Sequence, residues 1–265
     1  MVTVTAHPRA TLLVPAMAGL VATIWAALIV WEQGPYGRYL EHGSWTDAGL
    51  AAGLCRAVPG GSWLVPGALY AVGWMLMTAA MMLPSTLPLL RRFERLAAAR
   101  NGRAKLMLLL IGGYLVAWLA FGIAAHVLDA LLHAAAGRSA WLALNGWAVG
   151  AVVLGGAGLF QFSRLKRLCL DRCRAPLGFI LRRWHGRTPY RDAFAIGLDH
   201  GVFCVGCCWA LMMLMFIVGT GNVGWMLALG ALMAIEKNAP GMRWLSGTVG
   251  FALLALAAIV AAENI

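Results

Sequence analysis

Long uncharged apolar runs recur from Thr11 almost to the C-terminus and are separated by short polar connections. Each is about 20 residues, the length at which a helix crosses a hydrocarbon core of about 30 Å. The pattern predicts seven spans: Thr11 to Trp31, Trp63 to Leu90, Leu106 to His133, Trp141 to Phe162, Ala193 to Thr220, Val223 to Glu236 and Trp244 to Ala262. The sixth is short for a bilayer, so six spans plus a tilted or re-entrant segment is the alternative count. Runs such as Leu106 to Ala125 lack the alternation of a barrel strand and would bare an apolar strand on both faces. The expected fold is all-α, a polytopic transmembrane helix bundle forming one integral membrane domain over residues 1–265. The first run is too long for a secretory h-region and lacks a clear small-residue cleavage site, so it is expected to be a retained span.

Composition agrees with the pattern. Of the 265 residues, 62% are hydrophobic and 12% charged, against about 25% charged in a soluble domain. The net charge of +11 does not indicate nucleic-acid binding, because the basic residues sit between the apolar runs and form no contiguous face. They concentrate in Arg91 to Lys105 and Arg164 to Arg191. Placing both loops in the cytoplasm leaves 18 of the 21 basic residues inside and only Arg38, Arg56 and Arg138 outside, the bias expected of a multi-pass protein. The N-terminus is then cytoplasmic and the C-terminus periplasmic. Gly146-x3-Gly150 and Gly197-x3-Gly201 are expected to let helices approach closely in lipid.

The candidate chemistry lies mainly in the fifth span. At about 100° per residue, His200, Cys204, Cys207 and Cys208 fall at about 0°, 40°, 340° and 80°, so one imidazole and three thiols share a helix face. Such groups suit a soft transition metal, with copper favoured over zinc or iron. The alternative is that the cysteines are small apolar fillers and His200 is hydrogen-bonded in the core; four such residues on one arc favour the metal. One straight helix cannot wrap an ion, and the second span offers Met77, Met81 and Met82 as thioether partners, with Pro84 positioned to bend that helix and free backbone carbonyls. Taken alone, the methionines read as lipid-facing or packing residues ahead of ligands.

Weaker candidates follow. Cys169 and Cys173 share a face if the second basic loop is helical; flanking arginines would lower their thiol pKa, and they could pass metal to or from the intramembrane site, or be incidental to a membrane-apposed amphipathic segment. His126, Asp129 and His133 share a face near the outer end of the third span, as an external capture or relay site or as solvated interfacial residues. Glu236 and Lys237 read as an interfacial ion pair, or Glu236 as a carboxylate that charge-compensates the metal. Cys55 stands alone on the outer side, so the six cysteines make no secreted disulfide framework.

Trp74 to Ser85, Leu165 to Pro176, His200 to Met213, and Trp225-Met226 through Glu236-Lys237 together resemble a bacterial family of predicted metal-binding integral membrane proteins of unassigned function. His-Gly-x2-Cys-x-Gly-Cys-Cys-Trp, from His200 to Trp209, is the most specific element. The resemblance implies metal binding and a location in the cell inner membrane.

Three functions fit these observations. The first is a protein that binds a soft metal, copper above all, within its bundle, for transport or delivery to a metalloenzyme. The second is a membrane thiol–disulfide oxidoreductase using Cys204, Cys207 and Cys208. The third is an accessory or structural subunit of a larger membrane complex. Apart from the lipid bilayer, the partners implied are a metallochaperone, a metalloenzyme or that complex. No Walker loop, dinucleotide fingerprint or Gly-x-Ser-x-Gly elbow is present, no catalytic residue is assigned, and a binding role is read ahead of an enzymatic one. A reporter fused after Ile265 is expected in the periplasm and one inserted between Arg91 and Lys105 in the cytoplasm; both on one side would mean the span count is off by one.

Overall fold

The computed structural model describes residues 13–33, 64–98, 100–139, 141, 145–218, 222–239, 241 and 243–264, and the regular elements among them are all helical. They are α1 (Leu13–Glu32), α2 (Leu64–Met82), a 3-10 turn (Pro84–Thr86), α3 (Leu87–Ala97), α4 (Arg103–Ala136), α5 (Gly146–Gln161), α6 (Arg164–Arg174), α7 (Leu177–Arg183), α8 (Pro189–Met213), α9 (Met215–Val218), α10 (Val223–Asn238) and α11 (Arg243–Asn264). The all-α expectation holds: the chain is a polytopic membrane helix bundle. Among the described residues α1, α4, α8 with its continuation to Ile217, and α11 are long and apolar enough to cross a bilayer, and the bent pairs α2–α3 and α5–α6 raise the number from four to six. At 16 residues, or about 24 Å, α10 is shorter than the hydrocarbon core. Cys55 and most of the outer connection around it lie outside the described residues.

The outer surface of the bundle is apolar. Val30, Leu108, Val152, Leu159 and Phe251 are exposed, which lipid tolerates and water does not. The interior is organised on α8: 61% of its most apolar stretch is buried, against 17% for α1 and 6% for α11. Glycines let α4 reach it. A Cβ on Gly197 would strike the Leu110 carbonyl, one on Gly113 the Phe194 carbonyl, and one on Gly201 would sit 2.7 Å from the Ala117 methyl. Backbone therefore meets backbone along this seam, as small residues permit in lipid. Gly150 differs, since a Cβ there meets Ile217 at an ordinary 3.9 Å.

The same contacts give relative directions. Leu110 pairs with Gly197 and Ala117 with Gly201, so α4 and α8 run parallel. Trp74 donates to the Trp118 carbonyl and Tyr70 to the Gly122 carbonyl, both at 3.0 Å, so α2 runs antiparallel to α4. Gly158 packs on Leu254 and Gly250 on Phe162, which makes α5 and α11 antiparallel.

Two breaks shape the functional end. Pro84 lacks an N–H, so the helix cannot continue its hydrogen-bond ladder there, and α2 turns into α3 through 48°. Side chains satisfy the freed carbonyls: Ser85 Oγ donates to Met82 and Thr86 Oγ1 to Leu83, both at 2.7 Å. After Gln161 the chain turns through 62° into α6, which Ser163 caps by accepting from the Lys166 N–H at 3.0 Å. Helix α6 buries Lys166, Cys169, Leu170 and Cys173, the spacing of an amphipathic helix, and lays that face on α8 beside Gly206 and Cys207. Next to it, Arg183 of α7 makes a two-armed pair with Asp199 of α8 at 2.8 and 3.0 Å.

Gly197→Ala is expected to force α4 and α8 apart and destabilise the bundle by about 1–3 kcal/mol. The test is thermal unfolding in detergent, with Gly150→Ala expected to leave the midpoint unchanged.

Candidate metal centre

His200, Cys204, Cys207 and Cys208 are all buried on the inner side of α8, the shared face that the helical spacing predicts. Their sulfurs lie together but meet different neighbours, because an arc of about 100° spans more than one neighbouring helix. Cys204 Sγ turns toward α4 and α10, lying 3.0 Å from the Tyr114 hydroxyl and 2.9 Å from Lys237 Nζ. Cys207 Sγ turns toward α6: it lies 3.3 Å from Cys208 Sγ and 3.9 Å from Cys173 Sγ, and donates to the Cys204 carbonyl at 3.1 Å. Cys169 packs where Gly206 leaves space for it. The five described cysteines are free thiols.

The α2 break completes the surroundings of Cys204. Lys237 Nζ lies 3.6 Å from Met82 Sδ and 3.3 Å from Ser85 Oγ, while the Tyr114 hydroxyl approaches the Met82 carbonyl at 3.4 Å. Met82 at the end of α2 and Ser85 in the 3-10 turn thus face the same nitrogen as Cys204. His200 lies beside them, its ring 5.8 Å from Tyr114 and 5.3 Å from Phe179, and its buried Nδ1 has no hydrogen-bond partner. A thiol, a thioether and an imidazole with an orphaned nitrogen form a donor set that suits a soft ion. Among the described residues no three His, Cys, Asp or Glu side chains converge to hold a metal, and Lys237 stands between Cys204 and Met82.

The charged doublet on α10 is arranged differently from the expected ion pair. Successive residues on a helix point about 100° apart, and Glu236 faces away from Lys237. Its carboxylate receives Lys166 Nζ of α6 at 2.9 and 3.0 Å and the Ser246 hydroxyl of α11 at 2.7 Å. Lys166 also bonds Gln161, and Arg174 Nε donates to the Glu236 carbonyl at 2.9 Å. Arg172 lies over the Phe203 ring.

The remaining candidates fall in several places. Met77 is buried on α2, and Met81 packs beside Gly230 of α10, where an added Cβ would lie 3.4 Å from it. The Tyr70 ring stacks on His126 at 4.1 Å. Tyr70 lies 12 residues before Met82 on α2, or about 18 Å along the axis, so His126 and its neighbour Asp129 on α4 belong to the opposite half of the bundle. His133 lies on α4 with its side chain outside the described residues. Sequence reasoning missed Tyr114 and Ser85 and misassigned Lys237. The available signal was polarity inside apolar runs, which marks a residue as costly without naming its partner.

The fold and this interior define a class: integral membrane helix bundles with a buried thiol, thioether and imidazole cluster. Within that class, residues 71–260 match the model of the PpoB2 family, described as a copper chaperone, and the chain belongs to that family. The match runs from α2 into α11 and takes in every residue of the cluster. No curated protein and no solved structure matches the chain.

Lys166→Met is expected to destabilise the protein by about 3–5 kcal/mol, the cost of leaving a buried partner charge uncompensated. Lys166→Met combined with Glu236→Gln should regain much of that loss. Unfolding midpoints of the two variants in one detergent check the difference.

Proposed function

We propose that this protein carries Cu(I) as cargo within its bundle and delivers it to a membrane-associated metalloenzyme, receiving it from a soluble metallochaperone or from within a larger membrane complex. The observation that carries the reading is the run of buried sulfur from Met82 and Cys204 to Cys207, Cys208 and Cys173. The description of its family as a copper chaperone supports delivery ahead of transport.

The spacing suits handover. With metal–sulfur bonds of about 2.3 Å, two sulfurs sharing one ion stand no more than about 4.6 Å apart. Cys173 and Cys207 at 3.9 Å and Cys207 and Cys208 at 3.3 Å meet that limit. Cys173 on the amphipathic helix α6 is the receiving thiol, Cys207 and Cys208 hold the ion next, and Cys204 with Met82 and His200 forms the inner site. Met77 and Met81 line the approach along α2. A single integral domain over residues 1–265 in the inner membrane, with its N-terminus cytoplasmic and C-terminus periplasmic, places α6 on the cytoplasmic side. The parallel course of α4 and α8 supports the alternation of spans, since one span intervenes between them; the side assignment rests on the basic loops. His126, Asp129 and His133 then stand at the periplasmic end as a separate exit or capture site.

Purified protein is expected to bind Cu(I) with its thiols protected from alkylation. The Cys204→Ser/Cys207→Ser/Cys208→Ser variant should lose that binding, because a hydroxyl is a poor ligand for a soft ion. Met82→Leu should fold with a change below about 1.5 kcal/mol yet weaken Cu(I) more than Zn(II). Full copper occupancy in the triple variant would overturn the reading. Thiols found as a reducible disulfide, with no copper bound, would instead favour the oxidoreductase.

A further inference from the structure

We infer that Lys237 is a tethered monovalent cation occupying the inner copper site, and that Cu(I) enters Cys204 by displacing it. The inference rests on the copper reading above and adds the residue that sets which ions the site accepts. Lys237 is buried, and a charge inside a membrane bundle needs a partner. Among the described residues no carboxylate pairs with it. Glu236, its neighbour in sequence, is engaged by Lys166. The groups around its nitrogen are Cys204 Sγ at 2.9 Å, Ser85 Oγ at 3.3 Å and Met82 Sδ at 3.6 Å. Two of these three are sulfurs, the donors a soft ion takes and an ammonium does not require.

The exchange balances. The hydrogen bond between Cys204 Sγ and Lys237 Nζ breaks, an S–Cu bond forms, and the shared proton leaves on the lysine nitrogen as ammonium. Lys237 sits in the last turn of α10, from which a long side chain can extend to the bundle end while its stem stays among apolar groups. Cys204 then carries Cu(I) in place of a proton or an ammonium, and the net charge of the site is unchanged. A divalent ion adds one charge to an apolar interior and meets the departing ammonium with twice the repulsion. Lys237 therefore selects for a monovalent soft cation.

The test uses the full-length protein in detergent, titrated with Cu(I) against a chromophoric chelator and separately with Zn(II). Lys237→Gln removes the charge at similar length, and Lys237→Arg retains it. The Gln variant is expected to bind Cu(I) about tenfold more tightly or better, since no ammonium has to be displaced from Cys204, and to gain more for Zn(II), whose second charge the departing ammonium repels. The Arg variant should gain for neither. Wild-type protein supplies a readout that needs no variant: an amine-acylating reagent followed by mass spectrometry should label Lys237 more when Cu(I) is bound. Copper binding by wild type that Lys237→Gln leaves unchanged or weakens, or Lys237 labelling indifferent to copper, overturns the exchange alone. Failure of wild type and Lys237→Gln alike to bind Cu(I) overturns the copper reading with it.

Discussion

Adjacent buried residues of opposite charge, Glu236 and Lys237, fix the rotation of α10 and through it the site. They cannot neutralise each other, because consecutive helical side chains diverge by about 100°. Each needs a separate partner in an environment where an uncompensated charge costs several kcal/mol. Glu236 finds Lys166 and Ser246 on one side; Lys237 finds Cys204, Ser85 and Met82 on the other. Rotating α10 to favour one charge would strand the other. The short helix is held in one register, with α6 and α11 drawn to its one face and α2 and α8 to the other.

The break in α2 belongs to the same arrangement. A continuous helix would carry its backbone carbonyls inward-bonded and offer only side chains at the depth of Cys204. Pro84 interrupts it, and the Ser85 and Thr86 hydroxyls take over the freed carbonyls, so irregular backbone is tolerated where protein surrounds it. Ser85 and Met82 are thereby turned toward Lys237, while Tyr114 reaches both the Met82 carbonyl and the Cys204 sulfur. One phenol thus ties α2, α4 and α8 together at the centre of the cluster.

Much of the fold could be read from the chain, since a span is a local property of composition and length. The shared face of His200, Cys204, Cys207 and Cys208 was legible for a similar reason: it follows from helical periodicity alone. The close approach at Gly197 and Gly201 was also readable, although Gly150, picked out by the same spacing, meets its neighbour at ordinary contact distance. The signal says that approach is permitted without saying that a neighbour arrives. What the sequence withheld is which helix meets which side of that arc. The division of the thiols between Lys237 and Cys173 depends on the rotation of α4, α6 and α10 about α8, and so on pairings across 30 to 90 residues of chain. The partner of Glu236 was hidden for the same reason, its sequence neighbour being the obvious candidate and the wrong one.

A carrier faces a constraint that a storage site does not. An ion held by every donor within reach would be too stable to hand on, and equilibrium affinity gained at the site is lost again at delivery. In this bundle the donors are spread along α8 instead of gathered round one point: Cys173, Cys207 and Cys208 at its α6 side, then Cys204 with Met82 beneath. On the proposed copper reading, Cys207 stands close enough to Cys208 and Cys173 to share an ion with either, so a step between them exchanges one soft ligand for another without a bare intermediate in an apolar medium. On the proposed exchange, the cationic side chain of Lys237 is a competitor that travels with the protein and returns when the ion departs, which limits binding and leaves the apolar interior without an unpaired thiolate after release.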